Sequence, residues 1–334
     1  MSYTPQGGDP CSMRGTGLGM TVAGLIVMSL SGALGQPSEL AQETGTADTR
    51  CGTQVGAQPG YGQWEHLTVV IFENKTLPKI IGNTQDAPYL TSLARACSYA
   101  TNMHHMTTTS LTNYIALTSG YTGHSGGKEV LITGTKLPRI WPQDSVSIFE
   151  AMGPDAREWA ESMPSNCFMG NSGDLFEVGH TPFQYYTRTQ KTLCPMYAIP
   201  LGSHNAMSAR FNLVIPNRVN IMHGTSATTT ASERIQAGDR WASTFIPALL
   251  ASSEYAAGKS AVIITFDEGD SKSSQIPFIV ISPYTKVGGT TNVAYNHYST
   301  LAGVQQMLGV SPLLGHAGDA GVNSIANDAT LGLG

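Results

Sequence analysis

The chain has 334 residues, of which 18 are Lys or Arg and 23 are Asp or Glu, for a formal net charge of -5 at pH 7. No basic cluster interrupts that acidic balance, so the electrostatic footprint of a nucleic-acid binder is absent. A chain of this length without a shift in composition can bury one large core, which predicts a single domain.

Arg14 is followed by an apolar run from Met20 to Leu30 and by small residues ending Ala33-Leu34-Gly35. This reads as a secretory signal peptide over residues 1–35, and Met13 is a natural alternative start because residues 1–12 precede the charged segment. The run is too short to span a bilayer comfortably and no later segment is longer, so a secreted protein without a stable membrane anchor is expected. Cys11 is lost with the leader, leaving Cys51, Cys97, Cys167 and Cys194. An even number of cysteines in an exported chain predicts disulfides, with three possible pairings. Cys167–Cys194 is favoured because a loop of that length stabilises by roughly 3 kcal/mol when closed, and Cys51–Cys97 follows by elimination.

Residues 36–63 are polar and aperiodic, a flexible lead-in tied down at Cys51, and the domain is expected over 64–334. His66 to Phe72 is a β-branched, apolar run, as in a strand buried on both faces of a parallel sheet, and it stops at Glu73-Asn74. A short helix is predicted from Leu90 to Ala96. Hydroxyl residues Thr107 to Ser110 lead into Leu111, Tyr114, Ile115 and Leu117, one apolar helical face that Gly120 ends. Ser110 therefore sits at or near the N-cap, where unpaired N–H groups and the helix dipole suit a phosphate or a hydroxyl carrying developing negative charge.

Residues 145–162 look helical with an interruption at Gly153-Pro154. The irregular stretch from Ser162 to Pro200 is the length and composition of a site wall. Phe211 to Ile215 reads as a strand and Arg240 to Tyr255 as a helix. Ser260 to Phe266 repeats the buried-strand pattern and ends in Asp267-Glu268. Pro277 to Ile281 is a third such strand, and His297 to Leu308 is a closing helix. Alternating strands and helices predict an α/β fold, a three-layer α/β/α sandwich around a largely parallel sheet. The two polar strand ends offer three carboxylates and an amide oxygen, hard ligands for one divalent cation such as Mg²⁺, Ca²⁺ or Mn²⁺, with Zn²⁺ if imidazoles lie near.

Several pieces occur in a characteristic order: Val-Ile-Phe-Glu73-Asn74, Ala-Pro-Tyr-Leu, Thr-Ser110-Leu-Thr-Asn113-Tyr, Glu-Ser-Met-Pro with Cys167, His180-Thr-Pro-Phe, Gly-Asp239-Arg-Trp and Thr-Phe-Asp267-Glu268-Gly. As a set they resemble the bacterial phosphoesterase family of secreted acid phosphatases and non-haemolytic phospholipases C, in the alkaline-phosphatase-like superfamily. The resemblance implies Glu73, Asn74, Asp267 and Glu268 as metal ligands. Ser110 would be both metal-bound and the nucleophile, with Thr109 as the alternative. Asn113 would contact phosphate. His180 and His223 would bind phosphoryl oxygens or protonate the leaving group; His297 lies near the expected face. Thr108 and Thr109 replace the family's His-Pro, Thr112 its second Pro, and Asn220 the Asp of its Asp-Met-His piece.

The activity so implied is hydrolysis of a small phosphorylated substrate through a phosphoserine, as in an acid phosphatase. A phospholipase C or phosphodiesterase acting on lipid is the alternative, and a secreted binding protein that has lost catalysis is another. The family's phospholipases are considerably longer, and this chain has no obvious apolar lipid-docking segment. The sequence sets no oligomeric state.

Overall fold

A computed structural model describes residues 51–334 apart from residue 55. The predicted signal peptide, Met13 and residues 36–50 of the lead-in lie outside the described residues. The described strands are β1 (His66–Phe72), β2 (Ser98–Ala100), β3 (His124–Ser125), β4 (Lys128–Glu129), β5 (Ala156–Ala160), β6 (Ala198–Pro200), β7 (Phe211–Ile215), β8 (Ser260–Phe266), β9 (Phe278–Ile281) and β10 (Gly289–Thr291). The short β3 and β4 pair with each other, and the other eight form one sheet in the order β10-β2-β9-β8-β1-β7-β5-β6. Only β9 runs against its neighbours, so the sheet is largely parallel.

The helices are α1 (Leu77–Ile80), α2 (Pro88–Ala96), α3 (Ser110–Ser119), α4 (Ile148–Met152), α5 (Cys194–Tyr197), α6 (Ala231–Leu250), α7 (Ser253–Ala256) and α8 (His297–Leu308). Every residue of β8 and all of β1 after His66 is buried, which requires cover on both faces of the sheet. Helices α2 and α6 pack together, and α3 packs on α8. Strand alternation then separates neighbouring residues: Phe72 meets the Trp241 ring of α6 edge-on, while Glu73 is turned to Tyr114 of α3.

The predicted helix over residues 145–162 is corrected by the structure. Gly153 and Pro154 end α4 in a single 3-10 turn, and Ala156–Ala160, Trp159 among them, continues as β5 between β6 and β7. The long helix begins at Ala231 rather than Arg240, started by a capping box between Thr230 and Glu233, and ends at Leu250. Both disulfides form, Cys51–Cys97 with Cα atoms 5.3 Å apart and Cys167–Cys194 with 5.4 Å. The first anchors the lead-in, whose Gly52 and Gln54 N–H groups donate to Ser282 and Pro283 carbonyls. Disulfides persist in oxidising compartments, outside the cell or in a periplasm. No helix among the described residues is long and apolar enough to cross a membrane.

Candidate active site

The register between β1 and β8 places Phe72 opposite Phe266, so the two polar strand ends emerge side by side. Asp267 N–H donates to Phe72 O at 2.8 Å, and Asn74 N–H donates to Asp267 Oδ1 at 3.0 Å. Asn74 is held at φ 49, in the left-handed region that Asn tolerates better than most residues, and its Nδ2 donates to Glu268 Oε1 at 2.5 Å. The four residues that the family resemblance implied as ligands are thus gathered at the carboxyl ends of two adjacent strands.

Glu73 is the centre of the cluster and is fully buried. Its Oε2 accepts from Ser110 Oγ at 3.2 Å and lies 3.0 Å from His223 Nδ1; its Oε1 accepts from Tyr114 OH at 3.1 Å. His180 Nε2 is 3.1 Å from Oε1 but out of line for a hydrogen bond, and so remains without a partner. Burial by itself would raise the Glu73 carboxyl, but the His180 and His223 imidazoles outweigh it and hold the group well below the usual carboxylate range. The convergence of hydroxyl donors on both oxygens requires the same ionised state.

Ser110 is the first residue of α3, one position inside the predicted cap; Thr109 stands at the cap without a side-chain cap bond. It is Ser110, not Thr109, whose hydroxyl meets Glu73. Asn113 is buried and its amide is occupied. Oδ1 accepts from Met106 N at 2.8 Å and Nδ2 donates to Thr107 O at 2.7 Å, which fixes the loop ahead of Ser110. At the far end Gly120 takes φ 76, and a Cβ there would lie 2.2 Å from Leu314 O.

Asp267 and Glu268 complete the acid group. Burial raises both, and Glu73 beside them raises them further, Glu268 to about 7 and Asp267 well above the carboxylate range. Asp267 Oδ2 and Glu268 Oε2 are buried without hydrogen-bond partners. His297 supports this corner, its Nε2 donating to Asp267 O at 2.7 Å, and burial lowers it to about 4.

His223 is positioned from behind. Asn220 Nδ2 donates to both oxygens of Glu161 at 3.0 and 2.9 Å, so the Asn found where the family has Asp suits a partner that is itself acidic. Met222 takes φ 71 and packs on Gly238, where a Cβ would come within 2.4 Å of it. Asp239 accepts from the Tyr89 and Leu90 N–H groups at 3.1 and 2.8 Å, capping α2 across the fold. The Gly-Asp-Arg-Trp piece is therefore scaffold.

Three contributors escaped the sequence reading. Tyr114 falls by its spacing on the apolar face of α3, yet it lies one turn after Ser110 and shares its partner Glu73. Lys75 is buried, donates to Met222 O at 2.9 Å and is pushed down to about 8 by burial. Lys136 acts electrostatically on Glu73, Glu268 and His180 from a loop with no periodic signal.

The Phosphoesterase family model matches residues 81–311. A phosphatidylinositol-3-phosphatase of Mycobacterium tuberculosis is 28% identical over 275 residues, 80% of this chain and 86% of the relative. A probable acid phosphatase of Kluyveromyces lactis is 24% identical over 245 residues, 66% of this chain and 56% of that longer relative. Among solved structures, a protein of the alkaline phosphatase superfamily from Vibrio parahaemolyticus superposes with a TM-score of 0.50 at 12% identity, covering 82% of this chain and 77% of the other. The lipoteichoic acid synthase LtaP from Listeria monocytogenes gives 0.52 at 12% identity, covering 86% and 81%. These structures establish the fold, and the family match covers well over half of the chain: the protein belongs to the phosphoesterase family, hydrolases of phosphoric esters, on an alkaline-phosphatase-like α/β scaffold.

Proposed function

We propose that the chain is a secreted acid phosphatase that cleaves phosphomonoesters of small molecules through a phosphoserine at Ser110. The observation that carries this reading is the Ser110 hydroxyl at the start of α3, hydrogen-bonded to a buried, ionised Glu73. Ser110 Oγ attacks phosphorus as its proton leaves along the bond to Glu73 Oε2, and the bond from phosphorus to the leaving oxygen breaks. His223 is part-exposed with Nδ1 facing Glu73, so its Nε2 is the atom placed to protonate the leaving oxygen. His180, nine-tenths buried or more, has its Nε2 free for a phosphoryl oxygen. Water then hydrolyses the phosphoserine.

The donor set fits one divalent cation. Three carboxylates crowd together, and two of their oxygens are buried without partners, as groups awaiting a cation would be. Glu73, Asn74, Asp267 and Glu268, with Ser110, would hold it. Glu73, His180 and His223 also present ligand atoms within 4.8 Å of one another, but His223 Nδ1 already faces Glu73, so the acid set is preferred. When bound, the ion favours the ionised serine and offsets phosphate charge. Monoester over diester preference draws support from both phosphatase-named relatives, and the mycobacterial one keeps lipid phosphomonoesters among the substrates to assay.

The test is acid-quench trapping of labelled phosphate with peptide mapping. Label on Ser110, and loss of about a thousandfold or more in turnover of p-nitrophenyl phosphate by Ser110→Ala, are expected. Near-normal turnover by that variant would sink the scheme, and label on Thr109 would move the nucleophile by one residue.

A further inference from the structure

His223 has two sides. One nitrogen faces Glu73; the ring also lines a cavity of about 420 Å³ that holds the two arginines Arg218 and Arg234. Another cavity, about 510 Å³, opens beside Arg210, just ahead of β7 at the opposite ends of the strands, and has no part in the chemistry. The cavity behind His223 is built. Arg234 is fixed by its Nε donating to Thr228 O at 3.1 Å and Nη2 to Thr229 O at 3.2 Å. Its guanidinium lies against Gly224, at φ 102, where a Cβ would come within 2.4 Å of Arg234 Nε. Any other residue next to His223 would displace that guanidinium.

Arg218 is tied to the same turn, since its carbonyl accepts from Gly224 N at 2.8 Å. Its buried Nε forms an ion pair with Glu177 Oε2 at 3.5 Å that is too loose for a hydrogen bond. A guanidinium held by one loose ion pair, with a second guanidinium lining the same cavity, leaves N–H donors for an anion. Asp174 also lines the cavity, but its carboxylate accepts from Ser226 Oγ at 3.1 Å. Among the described residues, the loose Arg218–Glu177 contact is thus the one ion pair that the two arginines make.

We propose that Arg218 and Arg234 form a leaving-group subsite, which selects phosphomonoesters carrying a second anionic group about one imidazole breadth from the scissile phosphate. This rests on the proposed hydrolysis at Ser110 and names its substrate class. The scissile phosphate sits on the Glu73 side of His223, and the second anion, a phosphate, phosphodiester or carboxylate, sits on the arginine side. Fixed forks of N–H donors read such a group better than a mobile lysine would. The same chemistry is offered by a soluble metabolite or by a lipid headgroup.

A matched pair of substrates isolates the effect. Glycerol 2-phosphate has one anionic group, and 2-phosphoglycerate adds a carboxylate on the leaving side. The wild type should show the higher kcat/KM on 2-phosphoglycerate. Arg218→Met and Arg234→Met should each reduce that preference by about tenfold or more, chiefly through KM, since a charge-assisted hydrogen bond is removed. Arg218→Lys, which keeps the charge and disturbs packing less, should restore part of it. Vesicles of phosphatidylcholine carrying a monophosphorylated inositol lipid form a second arm. A preference lost only there assigns the second anion to a lipid headgroup, and one lost on 2-phosphoglycerate assigns it to free metabolites. Equal losses on both glycerol derivatives and on the vesicles, or no loss on any, overturn the subsite while leaving Ser110 hydrolysis standing. A wild type inactive on every ester removes the underlying reading first.

Discussion

Glu73 takes hydrogen bonds from Ser110 and Tyr114 and faces two imidazoles, so one buried carboxylate orients Ser110 and His223, two of the groups proposed to act on the phosphate. Tyr114 keeps its proton because burial, and then the Glu73 charge, push the phenol well above its usual range. Tyr114→Phe should therefore cost about 2 kcal/mol of stability, the scale of a lost hydrogen bond to a charged group. It should also lower kcat about tenfold, because Glu73 Oε1 would lose its alignment. Denaturant titration and steady-state kinetics on p-nitrophenyl phosphate check both, and unchanged kcat would show the phenol to be packing alone. At this scale the acids and Ser110 were legible because polar residues stood where apolar runs stopped. Tyr114 was not, since tyrosine on a helix reads as apolar until its i, i+4 relation to Ser110 is considered. Asn113 was legible as a conspicuous polar residue, but its neighbours in space decided that its amide holds the loop over residues 106–109.

Strand β5 shows how an element escapes a periodicity argument. Ala156–Ala160 is too short to display alternation, and its neighbours Met152 and Phe149 belong to α4, so the combined pattern resembled one interrupted helix. The same brevity hid β2, β6 and β10, each of three residues. The seven-residue β1 and β8 were plain. On β5, Glu158 is buried; its Oε2 accepts from Phe183 N at 3.0 Å while Oε1 has no partner. Burial pushes it from 4.5 up to about 8, outweighing the Phe183 and Gln184 hydrogen bonds that favour the ionised form. Between those values the folded state holds a proton that the unfolded chain releases. This contribution to stability is therefore complete below 4.5 and declines as pH rises to about 8. Glu158→Gln should flatten that decline. Scanning calorimetry across this interval reads it, and a variant Tm that falls with pH as steeply as the wild type's would refute the assignment. Phe183 follows His180-Thr-Pro, so its bond to Glu158 also ties down the turn that carries His180.

Across the molecule, β8, β1, β7, β5 and β6 run parallel, which sends the loops after β1, β7 and β8 to one end of the sheet. Topology alone thus gathers Glu73-Asn74, His223 and Asp267-Glu268, residues separated by up to 195 positions. That convergence was legible only in part: both acid pairs ended the same kind of strand, but the adjacency of β1 and β8 is a property of the whole sheet. Its energetic consequence is that the fold brings like charges together in a buried place. Without a cation they oppose folding, and a cation that binds the folded state alone stabilises it by mass action, about 2.7 kcal/mol at a hundred times its Kd. Chelator should therefore lower the wild-type Tm by several degrees, and one of Mg²⁺, Ca²⁺, Mn²⁺ or Zn²⁺ should restore it. Asp267→Asn removes one of the opposed charges together with a ligand. In chelator it should match or exceed the wild-type Tm, yet gain little from the ion that restores the wild type. The two effects have opposite signs in one protein, so a merely damaged fold cannot imitate them. A wild-type Tm indifferent to chelator and to all four ions would show that these carboxylates are held apart by protonation instead, and the cation would leave the scheme.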